Sequence, residues 1–204
     1  MQNLDLRRML ALPRMYSLFQ DMIGGDARAK YTRQYIRALA GDRILDIGCG
    51  PADILEYLPP SVRYTGFDAS PEYIEAARER FGQRGSFFCD RVDEGVAQRV
   101  GRFDIAIASG VLHHLDDAEA VSLFRIAREA LVPEGRLITL DGCYTPEQSS
   151  IARYLVSKDR GEHVRPARAY EDLAREVFPG VKTFVRHDLM RVPYTHLIME
   201  CTLR

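Results

Sequence analysis

The sequence predicts an α/β fold built on a parallel sheet, and three observations predict it. Residues 44–47 (Ile-Leu-Asp-Ile) form a largely aliphatic run that breaks on Gly48 and Gly50 and resumes at residues 53–55 as a short amphipathic segment. That pattern reads as strand, tight turn and helix start. Two further short runs, residues 62–67 and 86–89, end on acids, Asp68 and Asp90, with a helical segment between them. A fourth run, residues 103–108, is again followed by a loop and a helical pattern. Strands alternating with helices indicate parallel strands joined by crossovers.

Composition sets the outer bounds. A chain of 204 residues that is 46% hydrophobic reads as one domain, able to bury about 70% of its unfolded surface. The formal charge of −1 gives no electrostatic footprint for nucleic acid, so no nucleic-acid partner is expected. Cys49, Cys89, Cys143 and Cys201 are widely spaced, with no Cys-x-x-Cys pair and no disulfide framework. No metal site is expected, and a reducing cytoplasm is the expected compartment. The first residues lack the apolar core of a signal peptide, and no segment is apolar for long enough to span a bilayer.

In chain order, residues 1–25 read as broken helical pieces around Pro13 and Gly24-Gly25, with Met15, Tyr16, Leu18, Phe19, Met22 and Ile23 as an apolar group. Asp26 is placed to cap a second helix with Ala27, Tyr31, Tyr35, Ile36 and Leu39 inward, ending at Gly41. The strand at 44–47 suits a buried parallel position, and Gly48 and Gly50 let the chain turn sharply and lie bare against a ligand. Pro51 fits a first helical turn, and the helix is expected to run to Pro59-Pro60. Such a turn aims backbone N–H groups and a helix N-terminus into one cleft, which suits a nucleotide-like ligand. A dinucleotide fingerprint would require a small residue where Asp53 stands, which argues against NAD or FAD.

Asp68 ends the second strand eighteen positions after Gly50. In a right-handed strand-helix-strand unit it emerges at the same carboxyl edge, placed to accept bonds from ribose hydroxyls. Ser70-Pro71 caps a helix over 70–81 with Ile74, Ala77 and Phe81 on one face. After the fourth strand, residues 109–115 (Ser-Gly-Val-Leu-His-His-Leu) lead into a capping box, Asp116 and Glu119. That loop therefore faces the cleft.

With these residues on the page, the chain resembles class I S-adenosylmethionine-dependent methyltransferases. Asp46, Gly48 and Gly50 match the family's acidic residue followed by Gly-x-Gly-x-Gly, with Ala52 in place of the third glycine. Asp68 is similar to the acid that holds the ribose, and Asp90 with Arg91 to the pair that meets the adenine. Residues 109–115 resemble the fourth-strand motif of the small-molecule branch. Residues 131–141 resemble the turn into the fifth strand, except that Glu134 replaces a common second glycine. The motifs span residues 43–142 in the family's order.

The resemblance implies a Rossmann-like, doubly wound, seven-stranded and mostly parallel sheet with an antiparallel last strand, helices on both faces and an N-terminal helical lid. It divides the single domain, 1–204, into an extension (1–41), a cofactor-binding half (42–142) and a substrate side (143–204). The implied cofactor is S-adenosyl-L-methionine, leaving as S-adenosyl-L-homocysteine. The implied cofactor-binding residues are Asp46, Gly48, Cys49, Gly50, Asp68, Ala69, Asp90, Arg91, Ser109 and Gly110. As parts of a lid, Tyr16, Tyr31 and Arg33 are candidates for cofactor contacts, against the competing reading of a helix that merely covers the sheet.

Insertions at carboxyl strand ends build substrate walls, so Tyr144, Arg160, His163 and Arg165 join Tyr16 as substrate-side candidates, with a solvated ion-paired surface as the rival for the charged loop. A helix over 167–178 and strands over 181–187 and 195–203 complete the chain. The implied reaction is methyl transfer to an O, N or C nucleophile of a small molecule. For a hydroxyl acceptor the base is expected to be His113 or His114. The absence of a Pro-Pro-Tyr/Phe tetrapeptide disfavours nucleobase or glutamine amide methylation. Three alternatives stand beside this reading: a non-catalytic adenosylmethionine-binding partner or sensor, an aminopropyltransferase, and an RNA methyltransferase. The acceptor and the oligomeric state are not legible in the sequence.

Overall fold

The structure, a computed structural model, describes residues 26–159 and 161–204. The proposed helices of residues 1–25, Tyr16 and Arg160 lie outside the described residues. Seven strands, β1 (Arg43–Ile47), β2 (Arg63–Asp68), β3 (Gly85–Cys89), β4 (Phe103–Ser109), β5 (Leu131–Gly142), β6 (Gly180–Arg186) and β7 (His196–Thr202), form one sheet. Their order is β3-β2-β1-β4-β5-β7-β6. Strands β1 to β5 pair in parallel, and β7 runs antiparallel to both β5 and β6. This is the expected doubly wound sheet. Its strand order reverses between β1 and β4, where the carboxyl ends open a crevice for ligands.

Alternation along the strands divides the core between two faces. Leu45, Ile47, Phe103, Ala106 and Leu137 face one layer, formed by α4 (Asp117–Ala130) and α6 (Ala167–Arg175). Ile44, Tyr64, Ile105, Ile107 and Ile138 face the other, formed by α1 (Ala27–Tyr31), a wide helical turn at Thr32–Ile36 and α2 (Pro71–Phe81). Two caps read from sequence are present: Ser70 accepts from the Tyr73 N–H at 3.3 Å, and Asp116 and Glu119 close the capping box of α4. Short α3 (Val96–Val100) and α5 (Ser150–Ser157) complete the helices. No helix among the described residues is long and apolar enough to cross a membrane.

Three local expectations are corrected. The segment after β1 is only a 3-10 turn, Asp53–Glu56, and Pro51 does not open a helix. Ala52 stands between them at φ 59°, a left-handed conformation that interrupts helical propagation. Asp53 instead ties this turn to α1 and α2 through Arg28, at 3.3 Å, and Arg80. Asp26 makes no side-chain cap, and Leu39 is exposed because Arg37 turns left-handed and ends the helical segment early. The described part of the N-terminal extension covers a sheet face: Tyr31 is buried in that core, and Arg33 is exposed.

Candidate active site

The glycine turn lies at the carboxyl end of β1. Its N–H groups do not point into the cleft as the sequence suggested. Those of Gly48 and Cys49 both donate to the Phe67 carbonyl, at 2.8 and 2.9 Å, and that of Gly50 donates to Asp68 Oδ2 at 2.9 Å. The parallel register sets Ile47 beside Phe67, so the end of β2 is within reach of these donors. The turn is therefore a rigid platform joined to Asp68.

Gly48 is required twice over. Its φ is +74°, and a Cβ there would stand 2.6 Å from Val111 Cγ2, where the β4 loop crosses the turn. Gly50 has φ +54° and open space around it. We expect Gly50→Ala to cost about 1–2 kcal/mol of stability for the backbone alone. Gly48→Ala should cost about 1–3 kcal/mol more, because Val111 must also be displaced. Denaturant unfolding of the two variants checks the order, and equal losses would show that Val111 yields freely.

Two carboxylates flank the turn. Asp68 is half-buried and accepts from Gly50 and Ser70 N–H groups at 2.9 and 2.8 Å. Each oxygen keeps a second acceptor position. Asp46 is buried and accepts from the Tyr64 hydroxyl at 2.5 Å. Burial pushes its carboxyl up to about 7, against the lowering effect of that bond and with a further rise from Asp68. A buried carboxylate beside a second acid favours a cationic ligand. Burial also raises the Cys49 thiol, which stays protonated. Asp90 and Arg91 are exposed beyond β3, and the Arg91 N–H, expected to be free for a ring nitrogen, is held by Asp90 Oδ1 at 2.8 Å. Ala69 is exposed at the same edge.

The loop after β4 separates the two histidines. His114 is exposed, with its ring 4.1 Å from that of His113. His113 is buried, and its Nδ1 lies 2.9 Å from Asp141 Oδ1 at the end of β5. The His113 backbone N–H donates to the same oxygen at 3.2 Å, so both ring and main chain are aimed by one carboxylate. Across the ring, Nε2 is 3.4 Å from Asp159 Oδ1, and Asp159 Oδ2 accepts from the Tyr194 hydroxyl. Burial works to lower the His113 pKa, but the Asp141 hydrogen bond and the two negative charges outweigh it and leave it raised. His196, packed on Tyr194 at 4.7 Å, goes the other way: burial lowers it to about 4. Ser109 donates to Tyr31 Oη at 3.1 Å, which fastens α1 to the end of β4, and Gly110 N–H donates to the Leu140 carbonyl at 2.7 Å.

A family model described as a methyltransferase domain matches residues 45–137, the stretch that carries the glycine turn, Asp68, Asp90 and His113. In this stretch the chain is similar to class I S-adenosylmethionine-dependent methyltransferases. Among similar proteins, an uncharacterized protein of Synechococcus sp. is 39% identical over 90 residues, covering 40% of this chain and 21% of that protein. A ubiquinone biosynthesis O-methyltransferase of Xanthomonas euvesicatoria pv. vesicatoria is 29% identical over 118 residues, covering 56% of this chain and 48% of the relative. This chain thus spans about half or less of the curated relatives it matches. The pyocyanin biosynthetic protein PhzM superposes with a TM-score of 0.72 at 19% identity, over 97% of this chain and 60% of that one, which is a likeness of fold.

Methyltransferases of this class use S-adenosylmethionine, and the residues present fit it. Bare backbone at Gly50, the half-open carboxylate of Asp68 and the buried acid Asp46 suit, in turn, close approach, ribose hydroxyls and positive charge. The substrate-side candidates fare differently. Tyr144 is half-buried under the Arg153 guanidinium, 5.2 Å from the ring centroid, and His163 uses its N–H on the His113 carbonyl at 2.9 Å. Arg165 is not available to a substrate: it is buried, and its guanidinium is spent on backbone carbonyls and Asp117. Sequence reasoning missed Asp141, Asp159 and Tyr194. An acid closing the fifth strand at the shared carboxyl edge was a usable signal for Asp141; no local pattern marked the other two.

Proposed function

We propose that this methyltransferase moves the methyl group of S-adenosylmethionine to a hydroxyl oxygen of a small molecule, with His113 as general base. The observation that carries the reading is the His113–Asp141 pair. Asp141 accepts from Nδ1–H and so leaves Nε2, 3.4 Å from Asp159 Oδ1, as the proton acceptor. The bound sulfonium supplies an activated methyl group, which leaves sulfur as a neutral thioether once displaced. The acceptor oxygen forms the new C–O bond, the C–S pair returns to sulfur, and the hydroxyl proton passes to His113 Nε2. Asp141 then faces an imidazolium, which its charge stabilises. An amine bound in neutral form would need no such base, so the dyad favours oxygen, as does the name of the Xanthomonas relative.

The test is release of S-adenosylhomocysteine from the full chain across matched hydroxyl, amine and carbon acceptors. Turnover confined to hydroxyl compounds is the expected result; turnover with amines alone would overturn it. A protonated ring accepts nothing, so kcat should rise with pH along a limb set by His113. Two flanking carboxylates place that limb above the ordinary histidine value of about 6.5. Asp159→Asn removes one charge and should move the limb toward acid, which a pH profile of kcat reads directly.

A further inference from the structure

Arg165 makes more directed bonds than any substrate-binding role would leave it. Its Nη1 donates to the carbonyls of Leu112 and His163 at 3.0 and 2.9 Å, its Nη2 to the carbonyl of Leu115 at 2.7 Å, and its Nε to Asp117 Oδ1 at 2.8 Å. The guanidinium also lies 5.4 Å from the centroid of the Tyr170 ring. Leu112 and Leu115 bracket His113 and His114, so one rigid fork grips both ends of the turn that presents the imidazole. The segment before Arg165 is laced to the same residue: His163 N–H donates to the His113 carbonyl at 2.9 Å, and a Cβ at Gly161 would strike His113 Cδ2.

We infer that Arg165 is the positioning residue for His113, holding its turn so that the imidazole stays seated between Asp141 and Asp159. The inference rests on the reading of His113 as the base but is tested apart from it. The charged and titratable groups around the ring are Asp141 on β5, Asp159 with Tyr194 behind it, His114 beside it, and Arg165 itself beyond the turn. Two roles of Arg165 predict opposite signs. Losing only a nearby positive charge raises the His113 pKa, whereas losing position moves the ring away from its carboxylates and lowers it.

The experiment is NMR titration of the His113 ring in the full chain, saturated with S-adenosylhomocysteine, for the parent, Arg165→Gln and the charge-retaining Arg165→Lys. Positioning predicts a fall of about one pH unit in the Gln variant and a smaller fall in the Lys variant. Turnover should drop about tenfold to a hundredfold in Arg165→Gln, with product affinity changed less than about threefold. If Arg165→Gln does not fold, Asp117→Asn, at an exposed carboxylate that anchors the same guanidinium, should move the titration in the same direction by less. An unchanged or raised His113 titration in the folded variants overturns the inference. A lowered titration with full turnover in His113→Ala would keep Arg165 as the positioning residue and reject His113 as base.

Discussion

Replacing His113 by alanine should lower kcat by about 10²–10⁴-fold, the usual contribution of a positioned general base. Affinity for S-adenosylmethionine should change little, because no atom of His113 bonds to the glycine turn, Asp46 or Asp68. The control is Asp141→Asn, which keeps the shape of the side chain but offers an amide to Nδ1 and can leave the wrong ring nitrogen protonated. That variant should lose turnover by a comparable order, and its acidic pH limb should fall toward the ordinary histidine range. His114→Ala, at the exposed neighbour, should retain most of its turnover. Single-turnover kinetics with calorimetry of cofactor binding would separate these outcomes. If His113→Ala lost cofactor affinity and turnover together, or neither, the residue would not be the base.

The second large effect concerns Asp46. Burial pushes its folded-state carboxyl up to about 7 from an ordinary value of 3.8, so between those values the folded chain holds a proton that the unfolded chain has released. Asp46 therefore favours folding at low pH and burdens it as pH rises through 7. Asparagine carries no such charge and still accepts from the Tyr64 hydroxyl. Asp46→Asn should match the parent near pH 4 and become more stable from there to about pH 7, levelling off at up to about 4 kcal/mol. The same change should weaken S-adenosylmethionine binding by about tenfold or more at pH 8, since a buried carboxylate no longer meets a cationic ligand. The uncharged-sulfur product should lose less. Thermal melts at pH 5 and pH 8 and titration calorimetry with both ligands check this. A stability difference that did not grow with pH would show that folding does not raise the Asp46 carboxyl.

These two predictions depend on different kinds of information. Asp46, Asp68 and the glycines were legible because local chemistry announces them: a run of aliphatic residues ending on glycines is a strand entering a tight turn, and an acid eighteen positions on must return to the same edge. Ser70 and Asp116 were legible for the same reason, since a cap is a contact between residues three apart. The failures follow a rule as well. Ala52 in a left-handed conformation cut short the helix expected after β1, and the turn's N–H groups went to Phe67 and Asp68 on the neighbouring strand. Neither outcome has a signature inside the segment itself.

By itself, then, the sequence determined the order of strands and helices and the edge at which the glycine turn, Asp46 and Asp68 gather, because these follow from periodicity and from the handedness of crossovers. Only the tertiary structure decided which histidine is buried, that Asp141 and Asp159 stand on either side of its ring, and that Arg165 serves the backbone of the His113 turn. Those contacts join residues 28 to 53 positions apart. Their strength comes from desolvation and direction, which exist only once the layers have closed around them.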